Sequence, residues 1–297
     1  MTADTRSATF IGSGAVLLWS TLTLLVTFVP GVPPFQLVAL TFFIGSVVVL
    51  LKWYMAGLCT VERLILPWRV WLLGIGGLFG YHAFYFAALY LAPPLEASLI
   101  NYLWPLLVVV FSALLPGERL RWFHAAGALM GLAGTAILVA GKGDIAFAAE
   151  YAAGYACALA AAVTWAGYSV LSRRVPEVSS DSVGGFMAAT AVLAFAVHQG
   201  FETTVWPEGP LAWAAVVLLG IGPLGAAFFL WDHGIKRGDI RVLGAASYVA
   251  PLISTLLLVA FGRGEASGKV ALALALIVGG AALAAKEVLF APRRALR

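Results

Sequence analysis

Residues 101–120 read NYLWPLLVVVFSALLPGERL, and residues 247–266 follow the same plan as SYVAPLISTLLLVAFGRGEA. The two stretches align at an offset of 146 residues, and nearly everything around them is apolar. The same offset aligns three landmark pairs: Trp19 with Trp165, Tyr102 with Tyr248, and Pro105 with Pro251. An internal repeat in a strongly apolar chain is typical of membrane proteins built from two related halves.

The composition excludes a protein that is soluble in water by itself. Of the 297 residues, 62% are hydrophobic and 11% are charged, and the mean hydropathy is +0.97. A soluble protein carries roughly 25% charged residues. Lipid offers no partner to open backbone groups, so a chain of this kind crosses the membrane as helices. Two distant cysteines, Cys59 and Cys157, indicate neither a disulfide nor a metal site.

Ten apolar runs predict an all-α polytopic membrane protein, because about 20 apolar residues span a bilayer. They do not alternate every second residue, as the strands of a membrane barrel would. Short connections marked by proline and glycine leave no room for a soluble domain. The runs lie at about residues 8–29, 34–56, 66–91, 94–115, 121–141, 150–172, 182–201, 210–235, 241–261 and 267–290.

The basic residues indicate the orientation of these spans. With both termini in the cytoplasm, 15 of the 18 Lys and Arg residues fall on the cytoplasmic side, as the positive-inside rule expects. Five spans per half is an odd number, so the second copy must cross the membrane in the opposite sense. We therefore predict a five-plus-five inverted-topology repeat, with residues 1–145 and 146–297 as its halves and a site near the midplane.

Aromatic and polar residues deep within the spans are the candidates for lining that site, because such residues are costly when they face lipid. Helix packing is the alternative for each of them, and interhelical hydrogen bonding is the alternative for Asn101. Pro105 and Pro251 each remove a hydrogen bond in mid-span and are candidate gating hinges. The candidates for substrate binding are Trp19, Tyr81, His82, Tyr85, Asn101, Tyr102, Trp104, Trp165, Ser247 and Tyr248.

Charged residues and catalytic motifs are missing from the predicted membrane interior. The deepest carboxylate, Asp232, lies about one turn from Lys236, and we expect it to pair with a basic neighbour. The sequence lacks the buried carboxylates of a proton pump and the charged ring of an ion channel. It also lacks HExxH and Walker A motifs and an evident catalytic triad. We therefore predict no enzymatic activity, no cofactor, no metal and no nucleic-acid partner, and we take a monomer as the default state.

The motifs as a set resemble one family of membrane proteins. Mid-span prolines followed by Gly-Glu pairs, Gly117-Glu118 in the first copy and Gly264-Glu265 in the second, resemble the drug/metabolite transporter superfamily in its EamA-type branch. The resemblance covers about residues 8–290. The second copy departs from it by Arg263 and by the charged stretch WDHGIKRGDIR at residues 231–241. The resemblance implies export of small metabolites across the bacterial inner membrane by alternating access.

The residues and the resemblance together predict an exporter of neutral amino acids, aromatic ones included. Aromatic walls can stack on a side-chain ring, and the absence of fixed charge favours a net-neutral zwitterion. A multidrug or cationic-compound exporter of the same superfamily is the alternative, because aromatic cages also bind quaternary ammonium groups. Substrate choice is expected to depend on the unequal repeat mates, which are His82 with Phe228, Asn101 with Ser247, and Trp104 with Ala250.

Overall fold

The computed structural model describes residues 3–57, 64–117, 120–140, 145–263 and 268–286. Over these residues nine helices are long and apolar enough to cross a membrane, and a tenth is apolar but shorter. The fold class predicted from the sequence is confirmed. The predicted features at Cys59, Glu118, Gly264 and Glu265 lie outside the described residues. The helices are α1 (Ala3–Val26), α2 (Pro34–Met55), α3 (Trp68–Leu91), α4 (Pro94–Ser112), α5 (Trp122–Ala140), α6 (Ala152–Ser172), α7 (Val183–Phe201), α8 (Gly209–Arg237), α9 (Ile240–Ala260) and α10 (Gly268–Ala284).

The contacts between helices recur when each helix is replaced by its counterpart in the other half of the chain. Helix α1 packs on α8 and α9, and its counterpart α6 packs on α3 and α4. Helices α2 and α7 pack on each other, as do α5 and α10, so these counterparts meet directly. Each contact recurs after both helices are exchanged for their repeat mates. This reciprocity is what a pseudo-two-fold axis between two five-helix repeats produces.

Four helices are interrupted at matching positions in the two halves. Helix α3 contains a π-helical segment at Gly76–Gly80, and α8 contains one at Gly222–Ala226, 146 residues further on. Helix α4 breaks after Asn101, and α9 breaks after Ala246. These breaks lie just before Pro105 and Pro251, which cannot donate the backbone hydrogen bond that would continue the helix. Helices α4 and α9 are therefore both interrupted next to these prolines, close to the centre of the bundle.

Small residues allow the helices of the two halves to approach closely. Helix α1 crosses α8 at Gly12 and Gly234, where a Cβ atom added to Gly12 would lie 2.8 Å from the Cα atom of Gly234. Any side chain larger than hydrogen at this crossing would push the two helices apart. Close backbone approach at small residues is the usual means of helix association in lipid.

The α1–α2 end is the end of the bundle at which α1 ends and α2 begins. There a carboxylate from the second half caps a helix of the first half. Glu202 follows α7, and its two carboxylate oxygens accept hydrogen bonds from the backbone N–H groups of Phe35 and Gln36 at 3.0 and 3.1 Å. Pro33, the N-cap residue of α2, offers no side-chain cap. His198 lies 2.9 Å from the same carboxylate. Glu202 therefore supplies the negative charge that favours a helix N-terminus.

Replacing Glu202 with alanine is expected to destabilise the protein by about 1–2 kcal/mol, because the first N–H groups of α2 lose the carboxylate that accepts their hydrogen bonds. The melting temperature in detergent should fall by a few degrees. Glu208→Ala is the matched control, because Glu208 is exposed and makes no capping hydrogen bond at α8. Equal melting temperatures for the two variants would show that the cap contributes nothing.

Candidate functional site

A cavity of about 220 Å³ lies at the centre of the bundle, where α1, α3, α4, α6, α8 and α9 meet. Nine of the ten residues predicted to bind substrate line it, and none of the lining residues is Asp, Glu, Lys or Arg. Two larger grooves of about 470 Å³ each lie between exposed apolar side chains on the outer surface of the bundle, as expected of faces in contact with lipid. The lining residues of the central cavity are Trp19, Leu22, Thr23, Tyr81, His82, Tyr85, Asn101, Tyr102, Trp104, Trp165, Leu224, Phe228, Ser247, Ala250, Pro251 and Ser254.

Aromatic rings form one wall and the base of the cavity. Trp19 and Trp165, which are repeat mates, meet edge to face with their centroids 5.7 Å apart. Trp104 approaches the same two rings in the same manner, at 6.1 and 6.3 Å. Phe228 packs on Trp165 at 5.6 Å. Edge-to-face pairs of this kind are favourable beyond the apolar area that they bury, so the rings hold one another in place.

The cavity extends towards the α1–α2 end and is closed towards the opposite, α2–α3, end. On the side towards the α1–α2 end it reaches Thr23, an exposed residue in the last turn of α1. On the other side the fully buried Trp231 lies beneath Trp165, and its indole N–H donates to the hydroxyl of Ser169 at 3.0 Å.

The polar groups of the cavity come mainly from the first half of the chain. The side-chain N–H of Asn101 donates to the hydroxyl of Tyr81 at 3.2 Å, while its Oδ1 atom is buried and accepts no hydrogen bond within the described chain. The Nδ1 atom of His82 donates to the carbonyl of Leu78 at 2.7 Å, so the Nε2 atom of a neutral ring is an acceptor. Asn101 thus offers an unsatisfied acceptor, which a ligand with N–H groups would satisfy.

Ser247 and Tyr248 lie at the break within α9 and occupy different environments. Ser247 lines the cavity, and its hydroxyl donates to the carbonyl of Leu243 at 2.8 Å, which leaves the oxygen free to accept. Tyr248 does not line the cavity. Its ring packs against Gly131 of α5, and its hydroxyl donates to the carbonyl of Tyr102 at 3.0 Å. Tyr248 therefore supports the break in α4 from behind the cavity wall.

Three further lining residues, which were not predicted from the sequence, lie at helical spacing from residues named above. Thr23 lies four residues after Trp19, and Ser254 lies four residues after Ala250, so each shares a helix face with a residue already considered. Leu224 precedes Phe228 by the same interval. Intervals of four from Trp19 and from the repeat mates Phe228 and Ala250 lead to all three.

The expected pairing of Asp232 with a basic neighbour is confirmed, and the neighbour is Lys236. Their Oδ2 and Nζ atoms are 2.9 Å apart, and both side chains are buried.

Across the described residues, no three His, Cys, Asp or Glu side chains are grouped as a metal ion would require. The cavity therefore combines aromatic walls, one free amide oxygen and a few hydroxyls, which suits reversible binding of a small molecule.

Comparisons with known proteins agree with this architecture. The EamA-like transporter family matches the chain twice, over residues 6–140 and 152–285. The aromatic amino acid exporter YddG of Ancylobacter novellus is 57% identical over 279 residues, which cover 94% of this chain and 96% of that protein. The exporter of the same name from Salmonella typhimurium is 25% identical and covers 85% of this chain and 87% of its own. A solved crystal structure, 56% identical, superposes with a TM-score of 0.91 and covers 96% of this chain and 99% of its own. This chain is therefore a member of the EamA-like transporter family, within the drug/metabolite transporter superfamily.

Proposed function

We propose that this protein exports neutral amino acids, aromatic ones among them, through the central cavity by alternating access. The observation that carries the proposal is the unsatisfied Oδ1 atom of Asn101 in an aromatic-walled cavity without fixed charge. A zwitterion has no net charge, and its ammonium group supplies the donors that this oxygen lacks. An anionic or cationic substrate would find no counter-charge on the lining residues.

The lining residues divide into groups suited to the two parts of an amino acid. Trp19, Trp104 and Trp165 offer ring edges and faces to an apolar or aromatic side chain. Such contacts contribute roughly 0.5–1.5 kcal/mol for each aromatic pair. The tyrosine hydroxyls of α3 can donate to the substrate carboxylate. Individually weak contacts of this kind allow release after transport.

The named relatives agree with the proposed cargo. Two proteins that align with most of this chain are named as exporters of aromatic amino acids. The size of the cavity agrees as well, since drug-sized ligands occupy pockets of roughly 300–1,000 Å³ and this one measures about 220 Å³. These observations favour an amino acid over the multidrug or cationic-compound alternative.

We infer the orientation of the protein in the membrane from the distribution of its basic residues. We assign the α2–α3 end to the cytoplasm of a bacterial inner membrane, with both termini on that side, because the predicted cytoplasmic loops carry most of the Lys and Arg. Residues 1–145 and 146–297 are then the two inverted halves. On this assignment the cavity would open to the outside, and hinge movement at Pro105 and Pro251 would open it to the cytoplasm.

Purified protein in liposomes is expected to accumulate labelled Phe, Trp, Thr or Met above the level of empty liposomes. Unlabelled Phe should compete with the labelled substrate more strongly than a lipophilic cation of similar size. Stronger competition by the cation would favour the multidrug alternative, and the absence of amino-acid uptake would refute the proposal. Repeating the assay with an imposed pH gradient tests proton coupling, which would change the initial rate.

A further inference from the structure

Below the aromatic base of the cavity, a polar stripe continues along α8 towards the cytoplasmic end. Leu224 and Phe228 line the cavity, and Asp232 and Lys236 follow them at intervals of four residues. Residues at this spacing lie above one another on one helix face. The face that forms the base of the cavity therefore carries a carboxylate one turn lower and an ammonium group two turns lower.

A matching face of α6 lies against this stripe. Trp165 lines the cavity, and Tyr168 and Ser169 follow it on the next turn. Ser169 accepts a hydrogen bond from the indole of Trp231, which joins the two helices below the cavity. The cytoplasmic half of the path between α6 and α8 is therefore closed in this conformation and lined by polar groups.

Two of these polar groups are buried without a hydrogen-bond partner at one of their atoms. The Oδ2 atom of Asp232 lies 2.9 Å from the Lys236 Nζ atom but accepts no hydrogen bond of ordinary geometry from the described residues. The Tyr168 hydroxyl, which lies close to Asp232 and Ser172, likewise has no hydrogen bond of ordinary geometry. Burying an ion pair is often no more stabilising than burying apolar side chains of the same size. Stability alone therefore gives little reason for these charges to be here.

We propose that Asp232, Lys236 and Tyr168 form a cytoplasmic loading site, which binds the zwitterionic group of the substrate when the α6–α8 path opens. The inference rests on the proposed export of amino acids. In this site Lys236 binds the substrate carboxylate, Asp232 binds its ammonium group, and Tyr168 donates to the carboxylate. The substrate side chain then points towards Phe228 and Trp165. When the site is empty, Lys236 pairs with Asp232 and also donates to the carbonyl of Val178 at 2.9 Å, so neither charge is left alone.

The asymmetry between the halves is consistent with this role. In the first half the positions equivalent to Asp232 and Lys236 are Phe86 and Tyr90, at the end of α3 that faces outward. The exit path therefore lacks a charged pair at this position, whereas the entrance path has one. A transporter that collects substrate on one side and releases it on the other gains from such a difference.

The test is uptake of labelled Phe by inverted and right-side-out membrane vesicles, which expose the cytoplasmic and outer faces respectively. The variant is D232N/K236M, which removes both charges, keeps similar side-chain size and leaves no lone buried charge. At the cytoplasmic face its half-saturation concentration is expected to rise about tenfold, because each lost charged contact costs up to about tenfold in affinity. At the outer face the half-saturation concentration should stay within about twofold of the wild type. Phenylalaninamide, which lacks the carboxylate, should compete poorly with Phe in the wild type and nearly as well as Phe in the variant.

The matched control is D181N/K52M, which removes an exposed ion pair of 2.6 Å at the same end of the bundle and should leave both faces unchanged. Tyr168→Phe is the second variant. It removes only an unsatisfied hydroxyl, so it should fold normally and raise the cytoplasmic half-saturation concentration by about threefold. The loading site is refuted if both variants keep the wild-type half-saturation concentration at the cytoplasmic face. It is also refuted if the half-saturation concentrations at the two faces change equally. In either case amino-acid export still stands. If wild-type vesicles move no amino acid, the proposed function fails and the loading site fails with it.

Discussion

Asn101→Leu is expected to lower amino-acid transport, measured as kcat/KM, by about tenfold or more while leaving the folded yield close to that of the wild type. The Oδ1 atom of Asn101 is the buried acceptor proposed for the substrate ammonium group. A hydrogen bond to a charged group contributes roughly 1.5–3 kcal/mol, and each 1.4 kcal/mol corresponds to a factor of ten. Leucine has nearly the same shape but offers no acceptor.

The stability of Asn101→Leu should change little, because two effects oppose each other. The variant loses the hydrogen bond from Asn101 to Tyr81, which contributes about 1 kcal/mol. It also removes an oxygen that is buried at a cost and has no partner. Folded yield and melting temperature should therefore remain close to those of the wild type, so that lost transport reports on binding.

Thr135→Val is the control that separates these effects. Thr135 is fully buried in α5, its hydroxyl also lacks a partner, and it does not line the cavity. Removal of this polar atom should leave transport unchanged. If Asn101→Leu transports as well as Thr135→Val, Asn101 is only an interhelical contact, which is the alternative considered for it from the sequence.

Much of the fold could be predicted because the hydropathy pattern and the repeat each extend over long segments of the chain. The offset of 146 residues predicted that Trp19 and Trp165 would share one cavity, and they are in contact. The π-helical segments of α3 and α8 could not be predicted in this way. They depend on a local shift of backbone hydrogen bonds, and their glycines, such as Gly76 and Gly222, are equally consistent with regular packing.

The location of Tyr248 shows where the repeat gives too little information. Its mate Tyr102 lines the cavity, whereas the Tyr248 ring packs on α5, where Gly131 has no side chain. The position equivalent to Gly131 in the second half is Ile277, whose side chain is fully buried. The space available to a tyrosine at the break therefore differs between the halves. That difference depends on which residues meet in three dimensions, and the alignment of the two copies does not contain it.

Gly127→Val is expected to cause the largest loss of stability, because α5 and α10 cross at this residue. A Cβ atom at Gly127 would overlap the carbonyl oxygen of Gly280 and would lie 2.9 Å from the Cβ atom of Ala284. Backbone atoms cannot move aside without separating the two helices. Overpacking of this kind costs about 1–3 kcal/mol or more, so the melting temperature in detergent should fall by about 5–10 °C or the folded protein should be lost.

Gly167→Val provides the comparison, since Gly167 lies within α6 and a Cβ atom there would meet no atom within 4 Å. Both substitutions replace a helical glycine with the same β-branched residue, so their intrinsic helix propensities change equally. Any difference in melting temperature therefore measures the α5–α10 crossing alone. If α5 and α10 stay fixed during transport, the Gly127→Val protein that does fold should transport at the wild-type rate per molecule. A lower rate per folded molecule would mean that α5 and α10 move during transport.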